Sequence, residues 1–153
     1  FQRITGKGLL LIIGEGPEQK VLEDQIQELG LKGKVLLPGY RDKAWRYLSL
    51  CKVFVLPSLT EGLPITLLEA MQVGVPVVAS AVGGIPQLIT HGRNGFLVQP
   101  GDTEHIYRSI REIYLDHGFP EAFVNSTRDL IEKSYSSWRM AQNYDSVYKS
   151  AGI

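Results

Sequence analysis

Short, continuous apolar runs alternate with segments of helical spacing up to about residue 102, and only helical spacing follows. Leu9-Leu10-Leu11-Ile12-Ile13, Val35-Leu36-Leu37, Val53-Phe54-Val55-Leu56, Val75-Pro76-Val77-Val78-Ala79-Ser80 and Phe96-Leu97-Val98 each read as a strand buried on both faces, the pattern of a parallel sheet. Between them, Pro17 to Gly30 has helical spacing, with Val21, Leu22, Gln25, Ile26 and Leu29 on one stripe, Pro17 suited to the first turn and Gly30 to the stop. Asp42 to Leu50 predicts a short amphipathic helix. Pro64 to Val73 predicts a helix apolar nearly all round and therefore buried, ended by Gly74, and Gly83-Gly84-Ile85-Pro86 opens a short helix to Ile89. Helices over about 103–116, 120–134 and 137–150 close the chain. Strand–helix alternation of this kind specifies an α/β, doubly wound parallel sheet of about five strands with helices on both faces.

In such sheets ligands bind beyond the C-terminal ends of the strands, so the loops that follow them are the places to look for chemistry. They read Gly14-Glu15-Gly16, Pro38-Gly39-Tyr40-Arg41, Pro57-Ser58-Leu59-Thr60-Glu61-Gly62-Leu63 and Ser80-Ala81-Val82-Gly83-Gly84. The third runs straight into a helix. Pro64 has no amide hydrogen to leave unpaired, while the amides of about Ile65 and Thr66 point outward with the positive end of the helix dipole, which suits an anion such as a diphosphate. The Thr66 hydroxyl adds a donor. Glu69 follows in the same helix between Leu68 and Ala70. An unpaired buried charge costs several kcal/mol, on the order of its effective desolvation penalty, so this carboxylate needs a partner. At about 1.5 Å per residue it stands roughly 7–8 Å from the helix start, within reach of a ribose attached to a diphosphate there. The plainer alternatives are that Glu61 caps the helix or solvates a loop, that Glu69 forms a structural ion pair, that Gly14 and Gly16 only serve a turn, that Arg41 is a solvated charge and that Tyr40 only packs.

Glu61-Gly-Leu-Pro-Ile-Thr-Leu-Leu-Glu69 resembles the E-x7-E motif of retaining glycosyltransferases of the GT-B fold, family 4 in particular. The flanking blocks are similar too: Ile12-Ile13-Gly14-Glu15-Gly16-Pro17-Glu18, Gly74-Val75-Pro76-Val77-Val78-Ala79-Ser80, Gly83-Gly84-Ile85-Pro86, Asn94-Gly95-Phe96-Leu97-Val98 and Pro100-Gly101-Asp102. The likeness implies a Rossmann-like donor domain, the C-terminal half of a longer two-domain enzyme whose N-terminal acceptor domain is absent from residues 1–153. It implies that Glu69 binds the ribose of a nucleotide sugar, and that Glu61 contacts the transferred sugar and stabilises its oxocarbenium-like transition state. The amides near Gly62, Leu63 and Ile65 would hold the diphosphate, and Tyr40 and Arg41 would line the base pocket. Gly14 and Gly16 would lie in the donor site. Transfer would retain the anomeric configuration and need no metal or other cofactor. The donor would be a UDP-, GDP- or ADP-sugar.

Two positions depart from the family pattern. Gln87 stands where a glutamate is usual, at a position expected to be structural. The family's first strand, with the basic pair after it that clamps the diphosphate, has no counterpart. In relatives that strand lies between those matching Leu9–Ile13 and Val53–Leu56. The expectation is that these two strands pair directly, the alternatives being a strand at Phe1–Thr5 or edge pairing by a second chain.

Composition narrows the picture further. Sixteen basic and sixteen acidic residues in 153 give a net charge of zero, which offers no reason to expect nucleic acid as a partner. The lone cysteine, Cys51, reads as core filler, and no His/Asp/Cys cluster has metal-ligand spacing. His91, His105 and His117 read as surface or turn residues; Trp138, Tyr144 and Tyr148 read as packing. No apolar run reaches the roughly 20 residues of a membrane span, so a cytoplasmic location is expected, with membrane association of a full-length enzyme left open. The chain begins at Phe1 and is expected to be part of a longer one. Two other functions remain as alternatives: a nucleotide-sugar epimerase of GT-B architecture, and a non-catalytic nucleotide-sugar-binding domain.

Overall fold

The computed structural model describes residues 8–115, 124, 125, 127, 130, 131 and 133–152. The chain divides into two compact units between Tyr47 and Leu48.

In the first unit, β1 (Leu10–Ile13) and β2 (Val35–Gly39) form a parallel pair with α1 (Gln19–Glu28) between them in sequence. Both strands and the helix fall where the apolar pattern places them. Their burial does not match the expectation: Leu10, Leu11 and Ile13 are half-buried, Ile12 is exposed, and α1 has no fully buried residue. Of the expected stripe, Leu22 and Ile26 are half-buried, and Val21 and Leu29 are exposed. A two-stranded sheet has too little surface to bury both its own faces and a helix.

The second unit opens within a 3-10 helix (Ala44–Leu50) that begins in the first, placed where a helix was expected over 42–50. Three parallel strands follow in the order β3 (Phe54–Leu56), β4 (Val77–Ser80), β5 (Phe96–Val98). In register, Phe54 and Leu56 stand beside Val77 and Ala79, while Phe96 and Val98 stand beside Val78 and Ser80. Side chains alternate across a strand, so β4 serves two cores. Val77 and Ala79 join a cluster with Leu67, Ala70 and Met71 of α2 (Ile65–Val73) and with Ile85 and Leu88 of α3 (Ile85–Leu88). Val78 and Ser80 point to the opposite face. All four β4 residues are buried, as a strand covered on both sides requires. α4 (Thr103–Leu115) contacts β4 and β5, and its Ile110 and Ile113 are buried.

Several expectations need correction. Where one five-stranded sheet was expected, the five strands are recorded as a two-stranded pair, β1-β2, and a three-stranded sheet, β3-β4-β5, each within its own unit. Apolar runs report that a strand is buried; they carry no information about its neighbour. The Phe1–Thr5 alternative lies outside the described residues. α2 is not buried all round. Leu67, Ala70 and Met71 form its inner stripe, whereas Ile65 and Val73 are exposed. Pro64 is the N-cap, one position before the helix, and Gly74 closes it in the left-handed region at φ 86°, a conformation that costs glycine nothing. α5 (Ser137–Ser150) starts at its expected residue, capped by Ser136 Oγ accepting from the Arg139 amide. Its Trp138, Tyr144 and Tyr148, expected to pack, are all more than half exposed. Helical spacing alone cannot say whether an aromatic stripe has anything to pack on. The helix expected over 120–134 is seen at 124, 125, 127, 130, 131, 133 and 134; His117 lies outside the described residues.

Candidate functional site

The Glu61–Glu69 segment lies entirely in the second unit, between β3 and α2. The buried stripe of α2 fixes the helix against the sheet, and its first turn emerges into solvent. Ile65 is 71% exposed, and Gly62, Leu63 and Thr66 are exposed as well. The Leu67 and Leu68 amides both donate to the Pro64 carbonyl, at 3.2 and 3.3 Å. The Ile65 and Thr66 amides come before this ladder begins. They are the exposed orphan donors that an anion can take up.

The two glutamates differ in their surroundings. Glu61 is half-buried, and its Oε1 accepts from Ser58 Oγ at 2.7 Å. Glu69 is half-buried on α2 beside the buried Ala70. Among the described residues no hydrogen bond or ion pair engages Glu69, which leaves the structural-bridge alternative without a partner.

The first unit brings the other four candidates to the C-terminal ends of β1 and β2. The Gly14 amide donates to the Gly39 carbonyl at 3.1 Å. The Tyr40 amide donates to Glu15 Oε1 at 3.4 Å, and Arg41 Nη1 donates to the Tyr40 carbonyl at 2.8 Å. The Gly16 carbonyl accepts from the Gln19 amide at 3.2 Å, a turn into α1, and the Tyr40 ring is exposed.

Sequence reasoning passed over three residues that the structure ties to these loops. Glu15 links the first two, Ser58 holds the Glu61 carboxylate, and the Gly84 amide donates to the Gly62 carbonyl at 2.7 Å. Ser58 stands three residues before Glu61, a spacing short enough to suggest the bond; nothing in the sequence links Gly84 to Gly62. Gln87 is exposed, with its amide donating to the Gly84 carbonyl. His91 is exposed and shares a 3.1 Å contact between Nδ1 and the Leu97 amide, and His105 is half-buried, so both sit in turn or surface settings. They line a cavity with Phe96, Asp102 and residues of α4 that contains no candidate site residue. Cys51 is partly buried against the core, and burial pushes its thiol pKa up. Among the described residues no cluster of three or more His, Cys, Asp or Glu side chains could hold a metal ion, and no helix is long and apolar enough to cross a membrane.

A strand-end loop that carries one glutamate into an exposed helix start, with a second glutamate four residues into the helix, is the arrangement the motif anticipates. The family model for glycosyl transferases group 1 matches residues 3–132. The chain belongs to that family. It is 35% identical over 144 residues to an uncharacterised glycosyltransferase of Methanocaldococcus jannaschii, covering 93% of this chain and 37% of that one. It is 30% identical over 139 residues to the N-acetyl-alpha-D-glucosaminyl L-malate synthase of Bacillus anthracis, covering 91% of this chain and 36% of the synthase. Among solved structures it resembles Anabaena HepE, determined in complex with UDP, with a TM-score of 0.90 at 25% identity over 97% of this chain and 42% of that one. HepE has also been determined with UDP-glucose. The chain thus spans little more than a third of its relatives' length, and its fold is that of the GT-B glycosyltransferases.

Proposed function

We propose that this group 1 glycosyltransferase chain binds a nucleotide-diphosphate sugar and supports metal-independent, retaining transfer of the sugar to an acceptor held by an N-terminal domain of a longer enzyme. The carrying observation is the contrast between the two glutamates around the exposed start of α2: Glu61 is oriented by Ser58, and Glu69 has no hydrogen-bond or ion-pair partner among the described residues. In this reading the Gly62, Leu63, Ile65 and Thr66 amides, with the Thr66 hydroxyl, neutralise the diphosphate, a task that fixed dipoles perform without reorganising. Glu69 takes the ribose hydroxyls. Glu61 faces the sugar, where its negative charge stabilises positive charge developing at the anomeric carbon as the bond to the diphosphate breaks. Gly14 and Gly16 let the polypeptide backbone come close to the donor, and Tyr40 and Arg41 recognise its base. The complexes of HepE with UDP and UDP-glucose support UDP-sugars as the first donors to try.

Calorimetry with UDP, GDP and ADP tests the binding step. Glu69→Gln is expected to weaken the preferred nucleotide by about 1–3 kcal/mol, the range for losing a charge-assisted hydrogen bond. Unchanged affinity in a folded variant removes Glu69 from the site. In the longer enzyme, Glu61→Ala should lower turnover far more than nucleotide affinity, since only interactions strengthened in the transition state raise kcat. Product analysis separates the alternatives: a glycosylated acceptor supports transfer, an epimerised nucleotide sugar supports epimerase activity, and binding without turnover supports a non-catalytic domain. Transfer that persists in excess chelator supports metal independence, and inversion at the anomeric centre would overturn retention.

A further inference from the structure

The loop that carries Glu61 has no secondary structure of its own, and a catalytic carboxylate displaced by about 1 Å can lose most of its effect. What fixes it is a second loop, Ala81–Gly84, which follows β4. This loop is anchored by the sheet and the core: the Ala81 amide donates to the Val98 carbonyl at 2.8 Å, the Ile85 amide to the Val82 carbonyl at 3.1 Å, and Ile85 is fully buried. From that footing the Gly84 amide donates to the Gly62 carbonyl at 2.7 Å. Gly83 approaches more closely still. Its φ is +54°, and a Cβ there would lie 1.9 Å from the Glu61 carbonyl oxygen and 2.7 Å from its carbon. Both clashes are with backbone, which cannot swing aside as a side-chain tip can. A Cβ on Gly84 would meet the Gly62 carbonyl oxygen at 2.9 Å. The glycine pair is therefore a shelf against which the Glu61-Gly62 backbone lies in direct contact. The Ser58 hydroxyl then occupies one carboxylate oxygen, at 2.7 Å, and no bond to a described residue engages the other.

We propose that Gly83, Gly84 and Ser58 are positioning residues for Glu61: the glycines set its backbone, the serine sets its rotamer, and together they aim the second carboxylate oxygen at the donor sugar. This rests on the nucleotide-sugar reading above, and the test separates the two. Gly83→Ala is compared with Gly92→Ala. Gly92 has a similarly positive φ, +75°, but a Cβ there meets nothing within 4 Å, so this control imposes the backbone strain without the clash. Gly84→Ala, the milder intrusion, serves if Gly83→Ala fails to fold.

The first readout needs no ligand. In the wild type the Gly84 amide should exchange its hydrogen slowly. Gly83→Ala should shift the Glu61 and Gly62 amide resonances and speed Gly84 exchange at least about tenfold, with Gly92→Ala leaving both unmoved. Wild-type Gly84 exchanging like an unprotected loop amide, or Glu61 resonances undisturbed by Gly83→Ala, overturns the shelf. The second readout titrates UDP and UDP-glucose. Gly83→Ala and Ser58→Ala should cost about tenfold or more in UDP-glucose affinity and under about threefold in UDP affinity, with Ser58→Thr restoring the preference. Equal losses for both ligands, or Ser58→Thr behaving like Ser58→Ala, overturn the positioning role. If the wild type binds neither ligand, the nucleotide-sugar reading fails and with it the purpose assigned to the shelf; the exchange data still decide whether the contact exists.

Discussion

The two units use the same parallel-strand grammar with very different depth. β4 has a partner on each edge and is buried on both faces, whereas β1 has one partner among the described residues and a mostly half-exposed surface. α2 presses Leu67, Ala70 and Met71 fully into a core; α1 buries no residue completely. The candidate catalytic segment stands on the deeper unit, where a helix locked by packing can hold a carboxylate and a row of amides in a defined place. The loops of the first unit rely on exposed polar contacts such as the 3.4 Å bond from the Tyr40 amide to Glu15. Precision of placement scales with burial of the supporting element, and in this chain the residues that need most precision stand on the most buried one.

Substitutions can break this contrast. The largest expected effect pairs Leu67→Ala with Val21→Ala. Leu67 is fully buried and its truncation should cost about 2–5 kcal/mol, whereas half-exposed Val21 should cost no more than about 0.5 kcal/mol. Chemical denaturation of both variants checks it, and comparable losses would mean that the first unit is as tightly packed as the second.

A smaller effect is expected at Asn94, which is buried and ties the β5 approach together. Its Nδ2 donates to the Leu88 carbonyl at 2.9 Å and its Oδ1 accepts from the Thr90 amide at 2.7 Å. Asn94→Ala leaves both backbone groups without these partners and should cost about 1–3 kcal/mol. A change within about 0.5 kcal/mol would show that water replaces the side chain there. The smallest effect belongs to the first unit: Glu15→Gln should leave stability within about 0.5 kcal/mol, because its contact with the Tyr40 amide is exposed. A large loss would show that this carboxylate organises the two loops more firmly than its exposure suggests.

Much of this was legible in the sequence because it follows from local rules. Continuous apolar runs marked β3, β4 and β5 to within two residues, although only β4 is buried at every position and β3 is half-buried throughout. Gly74 marked the end of α2 because few other residues take a left-handed φ cheaply. Pro64, the apolar run to Val73 and Gly74 placed one carboxylate before a helix and one within it, and the rise per residue set their distance from its start. The sequence also determined family membership, through blocks that stand in a fixed order along the chain.

Tertiary structure decided what depends on partners distant along the chain. Which strands pair could not be read from Leu9–Ile13 and Val53–Leu56, because both runs are equally apolar and hydrophobicity has no address. Whether Val21, Trp138 and Tyr144 are covered depends on what else is present to cover them. The contact of Gly83-Gly84 with Glu61-Gly62 joins residues 22 apart. The Gly83-Gly84 pair shows that something comes close there, but not what; only the fold brings the Glu61 and Gly62 carbonyls within reach of it.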